Sequence, residues 1–303
     1  MKKILIILLA LSINLFSQTK ECEITVDGTE RTYLLHLPET VTLIHNLPLV
    51  FVFHGGGGTG KQIMKETGFN KISDKEKFIV VYPNGENKGW NDGRGEPIEK
   101  TIHNDVKFIS KLIDTITKQY NIDTNRIFST GISNGGFFSF YLAYKMSNKF
   151  LAIAPVTANI PKNLKDKYTL ENPVSLLLIN GTEDPLVKYE GGKIGFKFGK
   201  SRGKSISTDE TISIFIKNNK CSDKPKAEEI PDKIDDDECY ATKYTYSGGI
   251  KNTDVVLIKI TNGGHTWPGG TQYLPKKLIG NTCKDFNGAE VIWDFFKTRK
   301  SRN

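Results

Sequence analysis

Short apolar runs alternate along the chain with segments in which apolar residues recur every three or four positions. Five runs are apolar almost throughout, which is typical of strands that are buried on both faces of a parallel sheet. They cover residues 48–54, 78–83, 126–133, 174–181 and 254–262. The alternation of such strands with helices predicts one α/β domain, with a mostly parallel central sheet and helices on both faces.

The intervening segments carry the signals of helices and of one hairpin. Residues 104–120, 134–148 and 289–300 predict helices, and in the first of them the apolar residues fall on one helical face. Near the N-terminus, Asp27-Gly28 separates two strand-like segments and is a strong signal for a tight hairpin turn.

The first 17 residues predict a signal peptide rather than part of the fold. Lys2 and Lys3 precede an apolar run from Ile4 to Leu11, and the sequence turns polar around Ser17. The run is shorter than the roughly 20 apolar residues that a membrane-spanning helix needs. We therefore expect a single domain at residues 18–303, secreted to the extracellular space or the periplasm, with no membrane contact after cleavage.

The net charge of the chain excludes few classes of binding partner. The formal charge of the 303-residue chain is +8, and loss of the two N-terminal lysines leaves +6. An acidic run at residues 232–238 interrupts the basic surface, and aromatic and basic residues do not interleave as in a nucleic-acid groove. We expect no nucleic-acid partner, and the composition indicates no oligomeric state.

Four cysteines, Cys22, Cys221, Cys239 and Cys283, remain after cleavage. Export favours their oxidation, and three pairings are possible. Cys221 and Cys239 bracket one charged loop, so we favour that bridge, with Cys22–Cys283 as the second. A zinc site is less favoured because no two cysteines have C-x-x-C spacing.

One G-x-S-x-G pattern has the sequence context of a catalytic nucleophile. Gly131-Ile132-Ser133-Asn134-Gly135 lies between a predicted strand and a predicted helix, which is the arrangement of a nucleophile elbow. A second match around Ser201 lies in a Gly- and Lys-rich segment with no preceding strand. Ser133 is therefore the predicted nucleophile.

A serine nucleophile needs a base and an acid that orients this base. Strand 174–181 leads into Glu183 and Asp184, and strand 254–262 leads into a glycine-rich loop that contains His265. In α/β-hydrolases the three residues follow in the order Ser, Asp or Glu, His. We predict Ser133, Asp184 and His265, with Glu183 as the less favoured acid. The other histidines, His36, His45, His54 and His103, precede the acid in the sequence.

The glycine-rich segment 53–62 permits two interpretations. Gly55, Gly60 and Lys61 have P-loop spacing, but Gln62 replaces the hydroxyl residue that would bind Mg²⁺. His54 and the glycines after it instead resemble the loop that supplies an oxyanion donor in serine hydrolases. We expect the backbone N–H of Asn134 and of Gly56 or Gly57 to hold the oxyanion.

Several motifs together resemble one family. The segments "PLVFVFHGGGG", "WNDGRG", "TGISNGG", "NGTEDP" and "NGGHTWPGG" occur in the order seen in polyhydroxybutyrate depolymerase-like esterases, which include feruloyl and acetylxylan esterases of carbohydrate esterase family 1. The resemblance covers residues 26–296 and implies an α/β-hydrolase fold, no cofactor and the same triad. It also implies that Trp90, Asn91, Asp92 and Trp267 line the substrate cleft, although Trp267 is equally compatible with a core position.

The expected function is a secreted serine esterase that removes feruloyl or acetyl groups from xylan or its oligosaccharides. The alternative is a depolymerase of polyhydroxybutyrate or of other short-chain hydroxyalkanoate polyesters. A non-catalytic binding protein and a peptidase are less favoured. The basic segment 192–204 is compatible with contact to an acidic polysaccharide, although a solvated loop is the simpler interpretation.

Overall fold

The computed structural model describes residues 17–39, 41, 44–95, 104–196 and 199–300. Apart from Ser17, the predicted signal peptide lies outside these residues, and so does His103. Among the described helices, none combines the length and the apolar character that a bilayer crossing requires.

Strands and helices alternate through most of the described chain. The strands are β1 Gln18–Val26, β2 Thr29–Leu37, β3 Leu47–Phe53, β4 Ile79–Pro83, β5 Ile122–Ile132, β6 Ala152–Val156, β7 Ser175–Gly181, β8 Gly192–Lys193, β9 Lys204–Ser205, β10 Lys226–Ile230, β11 Tyr240–Tyr246 and β12 Val255–Thr261. The α-helices are α1 Gly60–Thr67, α2 Phe69–Glu76, α3 Asp105–Gln119, α4 Asn134–Lys145, α5 Thr208–Asn219, α6 Lys276–Ile279 and α7 Gly288–Lys297.

Ten of these strands form one sheet in the order β1-β2-β4-β3-β5-β6-β7-β12-β11-β10. The six central strands, β4 to β12 in this order, run parallel to one another. Antiparallel strands extend the sheet at both edges. The fold is therefore the α/β class with a mostly parallel sheet that the sequence pattern predicts.

The predicted elements are confirmed to within a few residues. All five apolar runs form strands of the central sheet, the three predicted helices are α3, α4 and α7, and the Asp27-Gly28 turn joins β1 to β2. Strand β6 escaped prediction because it has only five residues and contains Pro155. Helix α5 carries a recognisable start signal, since Ser207 and Glu210 form a reciprocal capping box.

The sheet separates two hydrophobic cores, because successive residues of a strand point to opposite faces. Phe51, Leu176 and Leu257 face one core, which α3, α4 and α5 cover. Val52, Leu177 and Ile258, each one residue further along, face the other core, which α1, α2 and α7 cover. Helices therefore lie on both faces, as predicted.

The favoured disulfide pairings are wrong, because each would have to cross the sheet. Cys22 and Cys221 pack against the first core, whereas Cys239 and Cys283 are buried in the second. All four are free thiols in this structure. The side chains of Cys239 and Cys283 lie within hydrogen-bonding contact of each other, which is the pairing that the sequence-based preference passed over.

Helix α4 lies so close to β3 that part of the contact is backbone against backbone. A Cβ atom at Gly135 would lie 2.4 Å from Phe53 O, and one at Gly131 would lie 2.6 Å from the same oxygen. Neither contact can be relieved by a side-chain rotation, since the obstructing atom belongs to a buried strand. Both positions therefore require glycine for steric reasons.

Gly135→Ala should lower the free energy of unfolding by about 2–3 kcal/mol, because the added methyl group must push α4 away from β3. Alanine favours helix over glycine by about 1 kcal/mol, so helix propensity alone predicts the opposite sign. Urea denaturation measures the difference.

Ser139→Ala, one turn later in the same helix, is the matched control. It removes a hydroxyl that donates to Gly135 O and adds no atoms, so we expect a loss of only about 1 kcal/mol. Equal stability of Gly135→Ala and wild type would contradict the steric argument.

Candidate active site

Ser133 occupies a sharp turn between β5 and α4. Its backbone has φ 54° and ψ −120°, a conformation that costs energy for any residue with a Cβ atom. Ser133 N–H donates to Val156 O at 2.9 Å and Ser133 O accepts the first hydrogen bond of α4, from Phe137 N. The turn thus has the geometry of a nucleophile elbow, and Ser133 is half-buried at the end of the sheet.

Asp184 and His265 form a buried pair after the ends of β7 and β12. His265 Nδ1 lies 2.7 Å from Asp184 Oδ2. The second carboxylate oxygen, Oδ1, accepts hydrogen bonds from Leu186 N and Val187 N, each at 2.8 Å. These two donors bind Oδ1, so Oδ2 accepts a hydrogen bond from Nδ1–H of His265. The Nε2 atom of the His265 ring is therefore free to take a proton.

The structure brings Asp184, not Glu183, to His265, because the side chain of Glu183 is exposed. Ser133, Asp184 and His265 all follow the carboxyl ends of parallel strands and therefore lie on the same edge of the sheet. Among the described residues, no hydrogen bond joins Ser133 Oγ to the His265 ring. Catalytic hydrogen bonds in free enzymes are often long and shorten when substrate binds.

Ser201 has a different setting. It lies between β8 and β9, which form a small separate hairpin, and its hydroxyl donates to Gly203 O at 3.3 Å. No strand-to-helix turn presents it, as the sequence context indicates.

The glycine loop after β3 contacts the elbow, and its hydrogen bonds separate the two candidate oxyanion donors. Gly57 N–H donates to Lys88 O at 2.7 Å, so it is already in use. No described hydrogen bond engages Gly56 N–H, and a Cβ atom at Gly56 would lie 3.8 Å from Asn134 Cβ. Of the two candidate glycines, Gly56 is therefore the one with an N–H group that no described hydrogen bond engages.

His54 is a structural residue that fixes this loop. Its Nδ1 lies 2.8 Å from Gly55 O, and its Nε2 accepts a hydrogen bond from Gly85 N at 2.9 Å. One ring nitrogen must donate and the other must accept, which is the pattern of neutral imidazole. Burial lowers the pKa of His54 to about 4, against the opposing effect of its bond to Gly55 O.

The side chain of Asn134 clamps the segment 90–92 onto the elbow. Its Oδ1 accepts from Trp90 N at 2.8 Å, and its Nδ2 donates to Trp90 O at 3.1 Å and to Asp92 Oδ2 at 2.6 Å. Asp92 in turn forms a buried ion pair with Arg94. From the sequence, only the backbone N–H of Asn134 is expected to take part in the site, whereas the structure adds a role for its buried side chain.

The expectation that Trp90 and Asp92 line a cleft requires correction. Trp90 is fully buried, stacks on Phe138 with ring centroids 5.0 Å apart, and donates from Nε1 to His54 O. Asp92 is 2% exposed and its carboxylate is used by Asn134 and Arg94. Trp90 therefore supports the glycine loop from inside, Asp92 supports Asn134 and Arg94, and neither presents surface to a ligand.

Trp267 and Asn91, the other two expected cleft residues, differ from each other. Trp267 is 1% exposed and packs edge-to-face on Phe69, so of its two interpretations the core position fits. Asn91 is half-buried, and its backbone N–H donates to Asp105 Oδ2. Asn91 is thus the only one of the four with a side chain that remains partly accessible.

Tyr273 also belongs to the site and was missed, because nothing in the sequence places it near the triad. Its hydroxyl donates to His265 O at 3.0 Å. Partial burial and the negative charges of Asp184 and Glu66 raise the pKa of Tyr273 to about 12, so it remains protonated and keeps donating. Tyr273 as a residue is 48% exposed.

One group of potential metal ligands lies outside this site. Oxygen or sulfur atoms of Asp237, Cys283 and Asp285 lie within 4.8 Å of one another. Both oxygens of Asp237 accept backbone hydrogen bonds, from Cys239 N and Lys284 N. Asp285 Oδ1 likewise accepts from the backbone. These carboxylates cap loops, so we assign them a structural role.

The similarity of the chain to known proteins agrees with this geometry. Residues 25–175 match the family described as "Putative esterase". The chain is 27% identical over 281 residues to "Putative esterase NocK" of Nocardia uniformis subsp. tsuyamanensis, covering 90% of this chain and 81% of that protein. It is 28% identical over 179 residues to feruloyl esterase D of Neurospora crassa, covering 55% of this chain and 58% of that protein.

One solved structure supports the fold at low identity. The acetyl xylan esterase from Aspergillus awamori superposes with a TM-score of 0.57 at 13% identity, covering 82% of this chain and 94% of that one. The chain thus has the α/β-hydrolase fold. Its match to the esterase family model and its similarity to proteins named as esterases show that the chain is a carboxylic ester hydrolase, related to feruloyl and acetylxylan esterases.

His54 should make stability depend on pH between 6.5 and 4. The folded state holds the imidazole neutral down to about pH 4, whereas the unfolded chain binds a proton below its ordinary pKa of 6.5. The contribution of neutral His54 to the free energy of unfolding is therefore fully present above pH 6.5. This contribution falls by about 3 kcal/mol as the pH is lowered to 4. Denaturant titrations across this range measure the slope.

His54→Gln removes this titration and should flatten that part of the slope, whatever its effect at pH 7. His45→Gln, in an exposed loop, is the control and should retain the wild-type slope. An unchanged slope in His54→Gln would show that His54 is protonated as readily in the folded as in the unfolded state.

Proposed function

We propose that this esterase is a secreted serine hydrolase that removes feruloyl or acetyl groups from xylan or its oligosaccharides. Ser133 is the nucleophile, His265 the base and Asp184 the group that orients it. The observation that carries this proposal is the buried 2.7 Å Asp184–His265 hydrogen bond at the sheet edge where the strained Ser133 turn also lies.

The reaction follows from the hydrogen bonds around these residues. Ser133 Oγ attacks the ester carbonyl as its proton passes to His265 Nε2, and Asp184 stabilises the resulting imidazolium. The carbonyl oxygen becomes an oxyanion between Gly56 N–H and Asn134 N–H. His265 then protonates the departing alcohol, which leaves an acyl group on Ser133. Water, deprotonated by the same histidine, releases the acid and restores the serine.

Two features of the site support a positioned oxyanion hole. Asn134 N–H begins α4, so it has no acceptor within the helix and lies at the positive end of the helix dipole. Gly56 N–H lies on the loop that His54 fixes at both ring nitrogens. Donors held in place before the reaction need no reorganisation as charge develops.

The acyl group and the sugar of the proposed substrate are inferred from the names of related proteins. Relatives named feruloyl esterase and acetylxylan esterase share between 27% and 30% identity with this chain. The chain spans 22% of the bifunctional acetylxylan esterase/xylanase of Neocallimastix patriciarum and 58% of the Neurospora feruloyl esterase, so their substrates are a proposal for this protein.

The decisive experiment compares purified wild type, Ser133→Ala and Ser201→Ala on methyl ferulate, acetylated xylan and soluble hydroxybutyrate oligomers. We expect release of ferulate or acetate, a loss of at least about a thousandfold in Ser133→Ala, and wild-type rates in Ser201→Ala. The two serines occupy the same sequence pattern, so Ser201→Ala is a matched control.

The outcomes separate substrate from mechanism. Release of hydroxybutyrate monomers without ferulate or acetate would replace the xylan assignment with the polyester alternative. Turnover that survives in Ser133→Ala would overturn the proposed nucleophile.

Secretion, through the predicted signal peptide at residues 1–17, is part of the same proposal and has a consequence for the cysteines. In an oxidising compartment, thiol–disulfide exchange with a protein disulfide can remove two protons and two electrons from neighbouring thiols. Cys239 and Cys283 are the neighbouring pair, and the N–H groups of Cys239 and Lys284 both donate to Asp237, which holds the two backbones together.

We therefore predict a Cys239–Cys283 disulfide in the exported protein, while Cys22 and Cys221 remain thiols. Peptide mapping by mass spectrometry without reduction, after alkylation of free thiols, tests this pairing. The cross-link should stabilise the fold by about 3–4 kcal/mol. A Cys221–Cys239 or Cys22–Cys283 peptide, or four alkylated cysteines, would contradict it.

A further inference from the structure

We propose that Arg202 forms an anion-binding subsite beside the oxyanion hole and selects esters that carry a carboxylate close to the scissile carbonyl. This inference rests on the proposed active site and adds a substrate class to it. Arg202 lies on the β8–β9 hairpin, in the basic segment 192–204, whose sequence is compatible with a solvated loop or with contact to an acidic polysaccharide.

The backbone of Arg202 is fixed at both of its polar groups. Its N–H donates to Ile194 O at 3.1 Å, across the hairpin, and its carbonyl accepts from Arg94 Nη1 at 3.2 Å. Ile194 N–H also donates to Gly203 O, which completes the pairing next to Arg202. A solvated loop would have none of these restraints.

The direction of the Arg202 side chain is set by glycines. A Cβ atom at Gly195 would lie 3.7 Å from Arg202 Cγ and 3.9 Å from Cδ, so the apolar stem packs over this glycine. A Cβ atom at Gly56 would lie 3.9 Å from Arg202 Nη1. The guanidinium group of an exposed side chain therefore reaches the glycine that we assign as oxyanion donor.

The hairpin is tied to the catalytic residues on two sides. On one side, Asn134 donates to Asp92, Asp92 pairs with Arg94, and Arg94 donates to the Arg202 carbonyl. On the other side, Gly195 N–H donates to Leu186 O, and Leu186 N–H donates to Asp184. Arg202 is thus held between the oxyanion hole and the acid by continuous hydrogen bonds.

The charges around Arg202 leave its guanidinium available for a ligand. The two buried arginines near the site are already neutralised, Arg94 by Asp92 and Arg31 by Asp105. In the described part of the chain, no acidic side chain forms an ion pair with Arg202. The neighbouring Lys200 and Lys204 are exposed and add positive charge.

A planar guanidinium group binds a carboxylate through two parallel hydrogen bonds, which suits a ligand held in one orientation. A carboxylate bound by Arg202 would lie close to the ester carbonyl over Gly56, because the guanidinium group contacts that glycine. The preferred substrate is therefore an ester with a carboxylate near the reacting carbon, on either its acyl or its alcohol side.

The test uses matched acidic and neutral esters. On the acyl side these are 4-nitrophenyl hydrogen succinate and its methyl ester, and on the alcohol side 2-acetoxybenzoate and its methyl ester. In wild type we expect a higher kcat/KM for the acidic member of at least one pair. Arg202→Gln should lower the acidic-to-neutral ratio about tenfold through KM, and Arg202→Lys should retain part of it.

Ionic strength provides a second readout. Raising the salt concentration from about 20 to 300 mM should lower the ratio in wild type but not in Arg202→Gln, because salt screens an exposed charge pair. Lys200→Gln removes the same charge from the same loop and should keep the wild-type ratio. An equal effect of both substitutions would indicate general surface charge and overturn the subsite.

Two other results would overturn the proposal. The ratio could be unchanged in Arg202→Gln, or kcat could fall equally on acidic and neutral esters, which would place Arg202 in transition-state stabilisation instead. Ser133→Ala distinguishes a failure of the proposed active site from a failure of the proposed Arg202 subsite. If it retains activity, the active-site assignment fails whatever Arg202 does.

Discussion

The site depends on one steric constraint, the contact of the nucleophile turn with the backbone of β3. Gly131 and Gly135 approach Phe53 O more closely than any Cβ atom would permit. This approach brings the start of α4 beside the glycine loop that follows β3. Ser133 then takes a strained conformation with positive φ, and Gly56 comes to lie beside Asn134. The proposed nucleophile and oxyanion donors thus depend on the same backbone contact.

Asn134 extends this constraint outward through its side chain. The amide hydrogen-bonds both polar backbone groups of Trp90 and the carboxylate of Asp92, so a distant loop is locked to the first residue of α4. Trp90 then fills the space between His54 and Phe138. Residues that sequence motifs suggest as ligand contacts act here as internal supports. The same chain of bonds continues through Arg94 to Arg202, where it reaches the surface.

Asp184 and His265, the proposed acid and base, are held in place by different hydrogen bonds. Asp184 is satisfied by the N–H groups of its own turn, so its position depends mainly on β7. The histidine loop relies on the segment 279–283, whose carbonyls at Ile279, Asn281 and Cys283 accept hydrogen bonds from its N–H groups. A covalent link from Cys283 to Cys239 would therefore stiffen the support of His265 as well as stabilise the fold.

The sequence by itself determined the class of fold, because apolar runs and helical periodicity report directly on which residues are buried. It also determined Ser133, Asp184 and His265 as the residues to examine, since each follows a recognisable strand and local turn chemistry identifies the elbow. Only the tertiary structure distinguishes Gly56 from Gly57, because the hydrogen bond to Lys88 O engages the N–H of Gly57. It also shows which face of the sheet each cysteine occupies, and this argues against the two pairings favoured from the sequence. The structure also shows that Trp90 and Trp267 lie in the core and that Arg202 lies beside Gly56. These contacts join residues far apart in the chain, so no local sequence pattern predicts them.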